Sequence, residues 1–160
     1  MFGLLRLGAA LWMALAASVA AAGERGVLVE LFTSQGCSAC PPADRLLGEL
    51  AARDDVIALS LHVDYWDYIG WADSFAQPRF TARQKAYARA AHSRSIFTPQ
   101  IIVDGEDRIM GAKAMTVMDR IRAHAEAPRP VSLSLRREGG RLVVAVSAER
   151  PVGPAVIQLV

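Results

Sequence analysis

The chain contains 160 residues, of which 52% are hydrophobic and 21% are charged, with 18 basic against 16 acidic side chains. These proportions exclude an intrinsically disordered chain, and the small net charge of +2 argues against a nucleic-acid partner. The length suits one small globular domain with an additional segment. The 2 cysteines are too few for a secreted scaffold held by several disulfides.

Residues 1–22 are predicted to form a secretory signal peptide. They carry one early Arg6, then an uncharged run that ends in three alanines before polar residues begin at Gly23. An uncleaved membrane anchor is the alternative, but the run is at the lower limit for a bilayer span and ends in small residues. We therefore expect an exported protein, periplasmic or secreted, with no membrane attachment after the signal is cleaved.

The mature chain begins with a predicted βαβ unit. A buried strand is expected over Val27–Phe32, interrupted by the charged Glu30. The segment Cys37–Pro42 then opens a helix, with prolines tolerated in its first turn. A second buried strand over Val56–Val63 completes the unit, so the two strands are expected to be parallel.

A segment rich in aromatic residues, Tyr65–Phe80, follows the second strand. After it the sequence predicts a helix, a strand, a tight turn, a short antiparallel strand and an amphipathic helix, over Pro78–Ser93, Ile96–Val103, Asp104–Gly105, Arg108–Gly111 and Ala114–Ala125. The third strand contains Pro99, and a proline inside a strand requires an explanation.

The C-terminal part has a different periodicity. Ala127–Pro130 has the composition of a linker, and beyond it apolar and polar residues alternate around a turn at Gly139–Gly140. This pattern predicts a hairpin with one buried face. Because two or three strands make a poor independent core, we expect a core domain over residues 23–127 and an incomplete β domain over residues 128–160.

Cys37 and Cys40 lie three positions apart beside a predicted helix start, close enough for a local disulfide. A helix N-terminus lowers the pKa of a thiol below its usual ~8.5, and the thiolate is the attacking form. Cys37 is therefore the predicted nucleophile and Cys40 the resolving thiol. An inert structural disulfide is the alternative, and zinc is disfavoured because the sequence contains neither a second CxxC nor an HxxxH.

The order of these elements around the CxxC and Thr98–Pro99 resembles the thioredoxin superfamily over residues 27–125. More closely, VELFTSQGCSACPPAD, HVDYWDYIGW, FTARQKAY and FTPQIIVDG are similar to the secreted bacterial proteins grouped as domain of unknown function 1223. The resemblance implies an α/β fold: a thioredoxin-like core (βαβ, an inserted helical segment, ββα) followed by a β-hairpin-rich C-terminal segment. It also implies that Pro99 is cis and packs against the CxxC, and that Ile96–Thr98 docks substrate chains.

Glu30 matches the buried acid that thioredoxins carry in the strand before the CxxC. The resemblance implies that Glu30 accepts a proton from Cys40 and has a raised pKa; a water-facing glutamate on an edge strand is the alternative. Pro41 and Pro42 disfavour helical geometry at Cys40 and Pro41, which predicts a later helix start than in thioredoxin. The Ser38–Ala39 spacer matches neither reductants nor strong oxidants, so the direction of electron flow stays open.

His62 and Asp64 end the second strand, at the edge where sites of α/β proteins gather. We expect them to make structural hydrogen bonds. Alternatively, His62 assists thiolate formation, or binds a soft metal such as Cu(I) together with Cys37 and Cys40.

Trp66 and Trp71 are candidates, with Thr98, for a surface that docks substrate peptides, because tryptophan offers a large contact area with a polar handle. Packing of the inserted helix against the core is the alternative. The basic run Arg79–Arg94 is interpreted as a solvated helix face, with docking of an acidic partner as the alternative.

The sequence thus predicts an exported thiol-disulfide oxidoreductase that acts on protein thiols and uses no cofactor. Its catalytic residues are expected to be Cys37, Cys40, Pro99 and Glu30, and its partners are protein thiol or disulfide substrates and an unidentified redox partner. The rival function is a copper-binding or copper-delivery module that uses the CxxC and His62. A scaffold whose β part binds a partner is a third interpretation.

Overall fold

The computed structural model describes residues 26–157, so the predicted signal peptide over residues 1–22 lies outside the described residues. The elements follow the predicted order: β1 (Val27–Thr33), α1 (Pro41–Ala51), β2 (Val56–His62), α2 (Pro78–Ala90), β3 (Gln100–Val103), β4 (Asp107–Met110), α3 (Ala114–Glu126), β5 (Val131–Glu138) and β6 (Arg141–Ala148). No helix within these residues is both long and apolar enough to span a bilayer.

The first four strands form one sheet in the order β2–β1–β3–β4. β1 pairs in parallel with β2 and antiparallel with β3, and β3 pairs antiparallel with β4. The parallel pair joined by α1 confirms the predicted βαβ unit. Together with the ββα unit formed by β3, β4 and α3, it makes a thioredoxin-like core, as the resemblance implied.

The sheet is buried on both faces, because successive side chains of a strand point to opposite sides. Val27, Val29 and Leu31 of β1 pack into one cluster with apolar residues of α1 and α3. Phe32 of β1 packs into a second cluster, with Phe80 of α2 and residues of β2 and β3. α1 and α2 therefore cover opposite faces of the sheet.

Two predicted strand details are corrected by the structure. Glu30 does not interrupt the first strand but lies in the middle of it, paired with Leu59 of β2 and Ile102 of β3. Pro99 lies immediately before β3 rather than inside a strand that begins at Ile96. A proline has no N–H to donate to a neighbouring strand, so the ladder with β1 begins only at Gln100.

The tight turn between β3 and β4 has the predicted chemistry. Asp104 and Gly105 have φ values of 48° and 78°, and the N–H of Glu106 donates to the carbonyl of Val103 at 3.1 Å. Positive φ at both central positions is the conformation that favours Asp-Gly in a hairpin.

The C-terminal hairpin, β5 and β6, forms a separate two-stranded sheet. Its predicted buried face is wrong for the described residues, because Leu133 and Leu135 are 57% and 61% exposed. The alternation that predicted the face is present in the sequence, but within residues 26–157 no element packs over it closely enough to bury it.

Candidate functional site

The two cysteines lie between the end of the central strand β1 and the start of α1. They form a disulfide, with their Cα atoms 5.4 Å apart. The segment Ser34–Cys40, hereafter the CxxC turn, is closed by hydrogen bonds from the N–H of Cys37 to the carbonyl of Ser34 and from the N–H of Cys40 to the carbonyl of Cys37, both 3.1 Å. Cys37 is 4% exposed and Cys40 is fully buried, so Cys37 is the more accessible of the pair.

The prolines after Cys40 do not delay the helix, contrary to the expectation from sequence. Cys40 has helical dihedral angles, φ −78° and ψ −33°, and its carbonyl accepts the N–H groups of Ala43 and Asp44. Pro41 occupies the first helical position, where a missing N–H costs no hydrogen bond. The disulfide therefore lies directly at the N-terminus of α1, where the helix dipole favours a thiolate.

Residues 64–77 connect β2 to α2 and are named here the aromatic segment. The Nε1–H of Trp66 donates to Oγ1 of Thr98 at 2.7 Å, and the Nε1–H of Trp71 donates to Oε1 of Gln35 at 2.9 Å. A Cβ added at Gly36 would lie 3.3 Å from Cβ of Trp66, so the segment packs directly on the CxxC turn. The structure thus brings Thr98, Trp66 and Trp71 around the turn that carries Cys37.

The aromatic side chains of this segment fall into a packed group and an exposed group. Tyr65 and Trp66 pack against the cluster around Phe32. By contrast, Tyr68 and Trp71 are 82% and 62% exposed, and Trp71 is bonded to Gln35 of the CxxC turn. Packing therefore accounts for the first two, and docking of substrate by Trp71 stays a prediction.

Pro99 directly follows Thr98, the residue that accepts the Nε1–H of Trp66. The Thr98–Pro99 peptide bond is cis, as the resemblance implied. The carbonyl of Pro99 accepts the N–H of Gly111 at 3.0 Å, and Nε2 of Gln84 donates to the carbonyl of Phe97 at 2.8 Å. Hydrogen bonds from Gly111, directly after β4, and from Gln84 of α2 therefore hold the Phe97–Pro99 segment in place.

Asp73 ties the aromatic segment to the CxxC turn. Its Oδ2 atom accepts the N–H of Gln35 at 2.7 Å and lies 2.7 Å from Nδ1 of His62, while Oδ1 accepts the N–H of Phe75 at 2.9 Å. Burial raises the pKa of Asp73, but these hydrogen bonds together outweigh burial, so its pKa lies below the ordinary value. An ionised carboxylate only accepts hydrogen bonds, so Nδ1 of His62 is the donor.

His62 and Asp64 make structural hydrogen bonds, as expected. His62 reaches the CxxC turn through Asp73 rather than through the sulfur atoms, and Asp64 accepts the hydroxyl of Thr81 at 2.5 Å. The alternative metal site is not assembled: among residues 26–157 no three His, Cys, Asp or Glu side chains are grouped to hold one ion. In this disulfide-bonded state Cys37, Cys40 and His62 do not form a ligand set, and a Cu(I) site in the reduced protein stays a prediction.

Glu30 is buried, as the resemblance to thioredoxins implied, and its carboxylate binds side chains of α2. It lies in the central strand, so the water-facing edge position is wrong. Its neighbours in β1, Val29 and Leu31, face α1, so Glu30 points to the opposite side. There its Oε1 pairs with Nε of Arg83 at 2.6 Å, and Oε2 accepts the hydroxyl of Tyr87. The sheet thus separates Glu30 from the helix that Cys40 begins, which argues against its predicted role as proton acceptor for Cys40.

Sequence reasoning missed Asp73 and the backbone of Gln35. A single acid among aromatic residues, as in Trp71–Phe75, is a signal that was available, because a buried aspartate needs partners. The N–H of Gln35 has no such signal, since every residue except proline carries one.

The fold and the cysteine pair define a class: a thioredoxin-like α/β protein with a CxxC disulfide at the start of its first helix. Over residues 28–160 the chain matches the family described as protein of unknown function, DUF1223, and it belongs to that family. It is also similar to the crystal structure of protein AGR_C_4864 from Agrobacterium tumefaciens, with 41% identity and a TM-score of 0.70. That match covers 78% of this chain and 58% of the Agrobacterium chain. No curated protein matches the chain.

Proposed function

We propose that this protein is an exported thiol-disulfide oxidoreductase that acts on protein thiols through Cys37 and Cys40. The observation that carries the proposal is the disulfide at the N-terminus of α1, where a thiolate on Cys37 is favoured by the helix dipole. The signal-like residues 1–22 support export, and an oxidising compartment is where a protein disulfide persists.

In the proposed reaction the Cys37 thiolate attacks one sulfur of a substrate disulfide. A Cys37–substrate disulfide forms, and the other substrate sulfur leaves as a thiolate that takes up a proton. Cys40 then loses its proton and attacks the Cys37 sulfur, so the Cys37–Cys40 disulfide forms and the second substrate sulfur leaves and is protonated. The substrate gains two electrons and two protons, which the cysteine pair loses; oxidation of a substrate dithiol is the same sequence in reverse.

The surroundings of the cysteines support this mechanism. Cys37 precedes the helix and keeps some exposure, whereas Cys40 is fully buried behind it, as expected for an attacking and a resolving thiol. The exposed Trp71 is bonded to Gln35 of the same turn, and Thr98 is joined to the turn through Trp66, so a substrate chain would dock across these residues. Trp71 supplies apolar area with one polar atom at this position.

The test uses the different roles of the two sulfurs. Cys40→Ser leaves a nucleophile without a resolving thiol, so we expect covalent complexes with exported proteins, seen as high-mass bands that disappear on reduction. Cys37→Ser is expected to give almost none, and the double serine variant is the matched control. In the reduced wild type, Cys37 is expected to alkylate faster than Cys40, with an apparent pKa below the ~8.5 of a free thiol.

If neither single variant traps protein and both thiols alkylate equally slowly, the exchange mechanism is wrong. If the protein does trap substrates as expected, the reduction potential of the cysteine pair shows the direction of electron flow. A value near roughly −270 mV indicates a reductant, and one near roughly −120 mV indicates an oxidant.

A further inference from the structure

We propose that Asp73 is a positioning residue for the cysteine pair: it fixes the turn that carries Cys37, and its buried negative charge opposes ionisation of the Cys37 thiol in the reduced protein. This inference rests on the proposed function and deepens it, because it names what sets the reactivity of the nucleophile. It concerns a residue in the aromatic segment, remote in sequence from both cysteines.

The geometry places the carboxylate close to Cys37. The side chain of Asp73 is 1% exposed, and its Oδ2 atom accepts the N–H of Gln35 at 2.7 Å. Gln35 is two residues before Cys37 in a closed turn, and each residue spans at most ~3.6 Å of chain. The carboxylate therefore lies within roughly 10 Å of the backbone nitrogen of Cys37.

Three other ionisable side chains form hydrogen bonds with Asp73 or with residues near the CxxC turn. His62 donates to Oδ2 of Asp73, Oδ1 of Asp67 accepts the N–H of Asp73 at 3.1 Å, and Oδ1 of Asp44 accepts the hydroxyl of Thr33 at 2.8 Å. Of these ionisable groups and Asp73, only the Asp73 carboxylate bonds directly to the CxxC turn. The helix N-terminus favours a thiolate on Cys37, and the buried carboxylate of Asp73 acts against it.

The decisive variant is Asp73→Asn, which keeps an acceptor of the same shape for the N–H of Gln35 and removes the charge. At an effective dielectric constant of about 20, one charge at roughly 10 Å changes an ionisation constant about tenfold. We expect the acid dissociation constant of the Cys37 thiol, measured from the pH dependence of alkylation, to rise about tenfold. At pH values above the thiol pKa the disulfide becomes easier to reduce by up to the same factor, which is about 30 mV.

Two further variants separate a charge effect from a structural one. Asp119→Asn removes a charge from a side chain that is 64% exposed on α3. It is expected to leave the acid dissociation constant of the Cys37 thiol unchanged. His62→Leu removes a donor from Asp73 and leaves its charge less compensated, so the Cys37 constant is expected to fall. A purely structural role predicts loss of stability in both variants with no shift, or with shifts of the same sign.

An unchanged Cys37 constant in Asp73→Asn, or shifts of the same sign in Asp73→Asn and His62→Leu, overturns the inference. If Asp73→Asn does not fold, the sign of the His62→Leu shift decides: a rise, or no change, overturns it. The measurement needs no substrate, so its failure is distinct from that of the proposed function. If Cys40→Ser traps covalent complexes as expected but Asp73→Asn leaves the acid dissociation constant of the Cys37 thiol unchanged, only the role of Asp73 is refuted.

Discussion

At the scale of single residues, the ion pair between Glu30 and Arg83 places a charged carboxylate inside the core. Glu30 is fully buried, and Arg83 reaches it from α2 with a side chain that is 22% exposed. Tyr87 donates to the same carboxylate, and burial, together with the bond to the Glu30 carboxylate, raises the pKa of Tyr87. A buried charge of this kind is tolerated only while its partners remain.

We predict that Arg83→Met lowers the free energy of unfolding by about 3 kcal/mol, because it leaves the Glu30 carboxylate buried with less compensation. Urea unfolding of the disulfide-bonded protein measures the change. Lys85→Met on the exposed side of the same helix is the matched control and is expected to change stability by less than about 0.5 kcal/mol. Adding Glu30→Gln to Arg83→Met is expected to recover part of the loss; equal losses in the arginine and lysine variants would contradict the prediction.

A second prediction concerns how the contribution of Asp73 to the free energy of unfolding depends on pH. Its folded pKa lies below the ordinary value of 3.8, so between these two values the unfolded chain binds more protons. The stability that Asp73 contributes is therefore fully present above about pH 5 and is lost as the pH falls through the folded pKa.

The measurement is the difference in unfolding free energy between wild type and Asp73→Asn at several pH values below about 6. We expect wild type to be the more stable at the upper end and the difference to shrink as the pH falls. A difference that stays constant, or that grows on acidification, would show that the ionised carboxylate is not what Asp73 contributes.

These residue-scale features were the hardest to predict from the sequence. Glu30 and Arg83 are 53 positions apart. The sequence predicts only a solvated basic face for Arg83, because a local pattern carries no information about a partner in another element. The cysteines and Pro99 were predictable because each has a short local motif. The binding of Asp73 to a backbone N–H could be found only in three dimensions.

At the scale of elements, the sequence predicted the order and type of every strand and helix of the core. Their bounds are close to those expected because burial on one or both faces imposes a hydropathy period that sequence displays directly. The aromatic segment had no such period, and its position over the CxxC turn depends on three side chains, Trp66, Trp71 and Asp73, that bond to distant residues. The buried face predicted for the hairpin failed because alternation shows an apolar face but not what covers it.

The hydrogen bond between Trp66 and Thr98 leads to a prediction at this scale. It joins the aromatic segment to the Phe97–Pro99 segment and is partly buried. Trp66→Phe removes the donor, and we expect it to lower the free energy of unfolding by about 1–2 kcal/mol.

Trp71→Phe is the matched control, because it removes an equivalent donor from a side chain that is largely exposed. It is expected to change stability by less than about 0.5 kcal/mol. Both variants are compared with wild type by urea unfolding. If the two substitutions cost the same, the aromatic segment is not held to Thr98 by this bond in the way the structure indicates.

At the scale of the whole molecule, the decisive question is how far the fold depends on the Cys37–Cys40 bond. A structural staple stabilises the native state mainly by closing a loop in the unfolded chain, and its contribution grows with loop length. Here the two cysteines are only 3 positions apart. The sheet and both of its apolar clusters are formed by residues that lie outside that loop.

We therefore predict that the reduced protein stays folded, with an unfolding free energy lower by no more than about 2 kcal/mol. Urea unfolding with and without a dithiol reductant measures the difference, and the double variant Cys37→Ser/Cys40→Ser, which has no disulfide, is expected to respond to the reductant not at all. A redox pair must function in both states, so the native fold has to survive reduction. If reduction unfolds the chain while the double serine variant also fails to fold, the disulfide is a structural staple, and the proposed exchange reaction loses its physical basis.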